Sequence, residues 1–322
     1  MIPSLNAILG RLHARQLRLL VALADHGSLL HAAREVAISQ PAASKALREI
    51  ESIFGMELFQ RTNRGLAANA AGRCVTRYAR LFQSDMEHLR DDLREIMQGG
   101  GGRVAAGTIM GAVPLLCDAV TAVLAQQPQL SVEILEDTSA GLLSLLDQGR
   151  IEFALCRTSV SASPELYDST EVQQETLALL ASPMHRLVGR SALRLADLRD
   201  ARWVVYRTNM PIRRLLEREF HEDGLRMPTH VIETTSAFAT MALLRNSKDM
   251  VALLPTPVAD FCEAHGVTCR LELPVLSRSE PYELVRRRGA PLSPAAQLLV
   301  KELTCGETAR RASGAAARPH HA

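Results

Sequence analysis

The sequence predicts a two-part chain: a small, mainly α N-terminal winged helix-turn-helix on a long linker helix, then a C-terminal α/β body of two lobes. Three observations predict it. Residues 15–68 parse as three helices and a strand-turn-strand, the apolar residues from 75 to 96 keep a period of 3.5, and strands alternate with helices beyond Gly99-Gly100-Gly101-Gly102. At 322 residues the chain is too long for one typical core, which agrees with such a division.

The first helix, 15–25, carries Leu17, Leu20, Val21 and Ala24 at i, i+3, i+4 and i+7, and Gly27 stops it. Ser28 is a good N-cap for a second helix whose small residues Ala32 and Ala33 allow close packing, with Ile38 closing it against the core. Ser39 caps the third helix, and Pro41 falls in its first turn, where a missing N–H costs little.

Two stripes separate along this third helix. Ala43, Leu47, Ile50 and Phe54 form the apolar one, while Pro41, Ser44, Lys45, Arg48 and Ser52 form the other. In a helix-turn-helix the second helix of the pair enters the major groove, so Gln40, Ser44 and Lys45 are placed to read base edges. A polar stripe is ordinarily no more than a solvated face, but the next segment of the chain sets this one apart. Residues 58–61 and 66–68 read as short strands around the turn Thr62-Asn63-Arg64-Gly65, which puts Arg61 and Arg64 on a wing beside the helix. Ser28 and Arg34 complete the set of candidate DNA contacts. Charge is distributed to match: residues 1–80 hold 11 Lys and Arg against 5 Asp and Glu, a net +6 that leaves −4 for the remainder.

From Asn69 to Gln98 only Gly72 could weaken a helix, and Val75, Ala79, Phe82, Met86, Leu89, Leu93 and Ile96 alternate spacings of four and three. This is a heptad seam that favours a second helix as partner, although a helix of this kind could also pack on its own chain. The glycine tract after it is a hinge by composition and not a phosphate loop, since no helix opened by Lys-Ser or Lys-Thr comes next.

The body begins with strand 103–106, helix 112–127, strand 131–136, helix 142–148 and strand 153–157, an alternation that predicts a mainly parallel sheet. A second set starts at Thr176, with strands at 177–181, 202–206, 229–233 and 250–254 and helices at 212–222 and 236–246. A strand at 282–286 and a helix capped by Ser293-Pro294 resemble a return to the first lobe. Ligands in α/β lobes bind beyond the carboxyl ends of strands. That rule selects Thr108, Ile109, Met110, Thr138, Ser139, Arg157 and Thr158 in one lobe, and Arg207, Thr208, Asn209 and Met210 in the other. Helix N-termini at such loops favour anions. The expected effector is a carboxylated metabolite, with Thr108, Thr138, Thr208 and Asn209 as donors and Arg157 or Arg207 as counterion; any one of these could equally be an ordinary turn residue.

Some classes of function are set aside. No apolar run could span a bilayer and no secretory leader is evident, so a cytoplasmic, nucleoid-associated protein with no membrane partner is expected. There is no GxSxG elbow, HExxH or P-loop, which leaves an enzyme a remote reading. The six cysteines form no CxxC pair, His320 and His321 form no metal motif, and no cofactor is expected. Cys262 and Cys269 keep a thiol-redox switch open as an alternative means of control. Arg286-Arg287-Arg288 reads as a solvated strand end, and residues 307–322 as a disordered tail.

Residues 17–72 resemble the DNA-binding domain of LysR-type transcriptional regulators, through Gly27-Ser28, Ala32-Ala33, Ser39-Gln40-Pro41-Ala42, Ser44, Leu58-Phe59, Arg61, Arg64-Gly65 and Ala71-Gly72. Leu29 and Ala68-Asn69 depart from that family's usual Phe and Leu-Thr. Weaker matches, Gln127-Pro128, Gly149, Leu253-Leu254-Pro255 and Leu292-Ser293-Pro294, extend the likeness over nearly the whole chain. The resemblance implies a two-lobed, periplasmic-binding-protein-like sensor with a small molecule in its cleft. It also implies a linker helix paired with its twin, assembly as a dimer or a tetramer of two dimers, double-stranded promoter DNA as partner, and RNA polymerase as a further candidate. The domains then run 1–70 (DNA binding), 71–98 (linker), 99–102 (hinge), 103–163 with 275–305 (first lobe), 164–274 (second lobe) and 306–322 (tail).

Overall fold

A computed structural model describes residues 3–63, 65–98, 102–208, 210–275 and 277–316, and the chain divides into two compact units near Gly99. The N-terminal unit runs α1 (Leu5–Leu9), α2 (Ala14–His26), α3 (Leu29–Glu35), α4 (Gln40–Phe54), β1 (Phe59–Thr62), β2 (Gly65–Ala68) and α5 (Ala70–Gln98). Leu19, Leu20 and Leu23 of α2 meet Ala32, Ala33, Ala43, Leu47, Ile50 and Leu58 in one core. Short α1 was not anticipated from the sequence; at five residues it is too short to sustain a period, and it buries none of its residues.

Local chemistry accounts for each boundary. Gly27 ends α2 in the left-handed region at φ 59°, and Ser28 Oγ caps α3 by accepting from the N–H of His31 at 3.5 Å. Ser39 Oγ accepts from the N–H of Ala42 at 3.3 Å at the start of α4. Asn69 caps α5: its Oδ1 accepts from the N–H of Gly72 at 2.9 Å while its Nδ2 donates to the carbonyl of Glu57 at 2.7 Å. Gly72 is required here because a Cβ would lie 2.0 Å from the carbonyl oxygen of Leu58.

The seam of α5 divides in two. Ala79 is fully buried and Val75 partly buried against the winged domain's own core, so these two are corrected from partner contacts to intramolecular packing. Ala is the one side chain of the series small enough to let α5 lie against α2. Phe82, Met86, Leu89 and Leu93 are 39–51% exposed and Met97 is 85% exposed. The side chain of Ile96 lies outside the described residues.

The second unit holds two five-stranded sheets. Its elements are β3 (Arg103–Thr108), α6 (Val113–Gln126), β4 (Ser131–Glu136), α7 (Ser139–Asp147), β5 (Phe153–Cys156), β6 (Tyr167–Gln173), β7 (Leu177–Ala181), β8 (Arg202–Val205), α8 (Pro211–Glu222), β9 (Val231–Glu233), α9 (Ala237–Asn246), β10 (Met250–Pro255), α10 (Thr256–Ala264), β11 (Cys269–Arg270), β12 (Tyr282–Arg287) and α11 (Pro294–Ala316). The first sheet has the order β4-β3-β5-β12-β6 and the second β11-β7-β10-β8-β9. Each is covered by helices over its own apolar core, with Phe153 and Tyr282 at the centre of the first and Trp203, edge-on to Phe220 at 5.3 Å, in the second.

Three expectations are corrected, in strand direction, in the lobe of 167–173 and in the length of the last helix. The sheets are mixed, since β12 runs antiparallel to β5 and β6, and β7 to β10 and β11. Strand β6 pairs with β12, so 167–173 belongs to the first lobe and not the second; its alternation is interrupted by exposed Ser169, Thr170 and Glu171, which hid it. Helix α11 continues to Ala316, because the tail's Ala and Arg content that reads as low complexity is also strongly helix-forming; residues 317–322 lie outside the described residues. Only Cys156 and Cys262 are buried, whereas Cys74, Cys117 and Cys305 are exposed on their helices.

Candidate nucleic-acid interface and inter-lobe cleft

The turn between α3 and α4 is tight. Ala37 takes φ 55°, unusual for a residue with a Cβ, and the N–H of Ile38 returns to the carbonyl of Ala33 at 2.9 Å. This fixes the start of α4. With Ala43, Leu47, Ile50 and the unanticipated Ile53 turned inward, Gln40, Pro41, Lys45 and Arg48 are exposed and Ser44 half-buried on the opposite face. Lys45 Nζ stands 3.9 Å from Glu49, and Arg48 Nε donates to the carbonyl of Ser44 at 3.4 Å, contacts weak enough to be exchanged for phosphate or base atoms.

The wing is held to this scaffold by glycine. The N–H of Leu66 donates to the carbonyl of Gly27 at 2.7 Å, and a Cβ on Gly65 would fall 2.3 Å from that same oxygen. Arg61 is exposed on β1; Arg64 lies outside the described residues. Arg34 is exposed and Ser28 is engaged as a helix cap. Arg73, not singled out from sequence, is exposed at the wing's base with Nη1 on the carbonyl of Ala68 at 3.0 Å; only the cationic bias of the segment pointed to it.

In the second unit several of the residues chosen at strand ends are already engaged within the protein. Thr108 is fully buried and donates to the carbonyl of Ile109 at 3.0 Å. Ser139 Oγ accepts from the N–H of Arg157 at 3.2 Å, and Thr138 Oγ1 accepts from the N–H of Gly141 at 3.2 Å. Thr158 donates through its N–H and hydroxyl to Glu283 at 2.9 and 2.6 Å. Burial works to raise the Glu283 carboxyl, yet these bonds and that from Ser169 prevail and hold it below its ordinary value.

Arg157 is corrected from counterion to structural residue. Its side chain is 7% exposed and its Nη2 lies 2.7 Å from Glu175, itself 10% exposed, while Nε donates to the carbonyl of Glu280 at 2.9 Å. Glu175 and Glu280 sit on the two segments by which the chain passes between sheets, so one guanidinium ties both crossings. Across the junction Tyr206, which comes directly after β8, donates its hydroxyl to Met110 Sδ at 3.1 Å. Burial, with the charge of Glu136 adding to it, raises the Tyr206 phenol well above its ordinary value. Ile109 is buried, Met110 and Met210 pack partly against the second core, Arg207 and Thr208 are exposed, and Asn209 lies outside the described residues. Tyr206 was missed in sequence because the run 202–206 reads it as an ordinary strand residue.

The buried and part-buried thiols Cys156, Cys262 and Cys269 are not activated. Burial raises Cys262 and Cys269, with Glu263 adding to both, and Cys156 is pushed up to about 12, the reverse of what a redox-sensing thiolate needs. Among the described residues no three His, Cys, Asp or Glu side chains could hold a metal, and no helix is long and apolar enough to cross a membrane.

Comparison with known proteins agrees with both units. Residues 14–73 match the family described as bacterial regulatory helix-turn-helix protein, lysR family, and residues 98–306 match the LysR substrate binding domain. The chain is 31% identical to the HTH-type transcriptional regulator GbpR of Azospirillum brasilense over 91% of this chain and 86% of that protein. It is 32% identical to the HTH-type transcriptional regulator GalR of Pseudomonas putida over 89% and 72%. Among solved structures, full-length CbnR complexed with its target DNA superposes with a TM-score of 0.60 at 20% identity, covering 91% of this chain and 99% of that one.

Proposed function

Because this chain belongs to the LysR family of helix-turn-helix transcriptional regulators, we propose that it reads operator DNA through α4 and the wing and is switched by a small molecule held between the lobes of its second unit. The observation that carries the DNA half is the division of α4 into a buried apolar stripe and an exposed Gln40-Ser44-Lys45 face, with Ser39 and Pro41 fixing where the helix starts. Gln pairs with adenine and Lys with guanine in the major groove. Arg48, Arg61, Arg64 and Arg34 supply phosphate contacts, and Ser28 presents the α3 start to the backbone. CbnR has been captured on its target DNA, which supports the same use of this fold here.

Phe82, Met86, Leu89, Leu93 and Ile96 pair the linker helix with that of a second copy, so that two winged domains meet two half-sites, in a dimer or a tetramer. The protein acts in the cytoplasm, without catalysis and without a cofactor. Selection of bound fragments from genomic DNA by the full chain tests this reading: sites with partial dyad symmetry are expected, and recovery of fragments at random would remove it. The thiol-redox alternative loses its support to the raised Cys262 and Cys269.

A further inference from the structure

Arg15 is a cation that the winged domain positions but does not neutralise. It is the second residue of α2, and Gln16 Oε1 fixes the start of that helix by accepting from the N–H of His13 at 2.9 Å. The first turn of α2 carries no acidic residue, and a positive charge there opposes the helix dipole. The side chain is exposed and makes no ion pair among the described residues, whereas Arg80 of the same unit is tied to Asp25. Its Nη2 donates to the carbonyl of Ala37 at 3.5 Å, longer than an ordinary N–H···O bond.

What matters is where that weak bond lies. Ala37 stands at φ 55° in the turn between α3 and α4, two residues ahead of Ser39, whose carbonyl opens the ladder of α4 by accepting from the N–H of Ala43 at 2.9 Å. Two residues span at most about 7 Å. The guanidinium is therefore held beside the end of α4 that carries Gln40 and Ser44. A helix seated in the major groove by that end has a sugar-phosphate strand along its border. A phosphate oxygen is also the better acceptor, because its bond to a guanidinium is charge-assisted and that to a carbonyl only half so.

We propose that Arg15 is a further DNA contact, a phosphate clamp that positions α4 from outside the helix-turn-helix pair. The inference rests on α4 as the groove-reading helix. It is tested by titrating the full chain on a selected operator and on unrelated DNA across a salt series, with thermal unfolding alongside. Each phosphate contact contributes about −0.9 to the slope of log K against log salt. Arg15→Ala and Arg15→Gln are each expected to lose about that much slope, which is about eightfold in affinity at about 0.1 M salt, equally on both DNAs, and to melt as the wild type does. Arg15→Lys should keep the slope. Gln is the deciding variant, since its amide can still donate to the Ala37 carbonyl but carries no charge. A wild-type slope in Arg15→Ala or in Arg15→Gln would overturn the assignment while leaving α4 as the reader. Binding by the wild type that does not depend on salt would instead remove the DNA reading itself, and the assignment with it.

Discussion

Gln40, Ser44 and Lys45 occupy the first two turns of α4, and each can be removed without touching the core, because Ala43 and Leu47 carry the packing between them. Gln40→Ala and Lys45→Ala should each cost about 1–3 kcal/mol of discrimination between operator and mutated operator, with unfolding unchanged. Arg61→Ala should weaken all sequences alike and lower the salt dependence of binding by about one phosphate contact; gel-shift titrations across a salt series check both. A second prediction at this scale concerns pH. Burial, then the nearby Arg186, holds the buried His185 imidazole below its ordinary value of 6.5, and its Nδ1 accepts from the N–H of Leu187 at 3.2 Å. The unfolded chain therefore binds the proton more readily, so stability is complete above that value and declines as pH falls below it. Urea unfolding from roughly pH 7.5 to 5 should show this decline, and His185→Gln should flatten it. At this scale the sequence was legible where chemistry is local: caps, turn glycines and the polar stripe depend on neighbours in the chain. Arg157 was not, because its two partners lie 18 and 123 residues away.

Among elements, α5 is the one whose two ends do different things. Ala79 is sealed into the winged domain while Leu89 and Leu93 are half-exposed. Leu89→Asp with Leu93→Asp should leave the winged domain folded and reduce the assembly to monomers in sedimentation; an unchanged mass would show that the seam is not the pairing surface. Gly72→Val attacks the other end. Its side chain would enter the space of the Leu58 carbonyl, and a loss of about 1–3 kcal/mol is expected in denaturant unfolding. The heptad period was plain in the sequence, but a period cannot say which partner fills each position. That depended on how closely α2 approaches, which small Ala79 permits and the larger seam residues do not. Strand β6 escaped for a related reason, since an edge strand with three successive exposed residues carries no alternation to read.

For the whole molecule, alternation marked two sets of α/β elements, whereas sheet order, the lobe of 167–173 and the direction of returning strands depended on pairing between distant segments. The same crossings carry the Arg157–Glu175 pair, which stands at the passage from one sheet to the other. Arg157→Gln should destabilise the second unit by about 3–5 kcal/mol by leaving Glu175 buried and unpaired, and Arg157→Met with Glu175→Leu should recover most of it. Loss of that magnitude in the double variant as well would mean that the guanidinium's bond to Glu280 matters more than the charge pair. In the proposed function the property that belongs to this scale is coupling, in which a ligand between the lobes changes how two winged domains hold DNA. The most direct measurement is a footprint of the full chain on a selected operator, in excess unrelated DNA, with and without dialysable cell extract. Protection of two half-sites that changes in extent when extract is added is the predicted result. Protection competed away by unrelated DNA, or identical with and without extract, would contradict it.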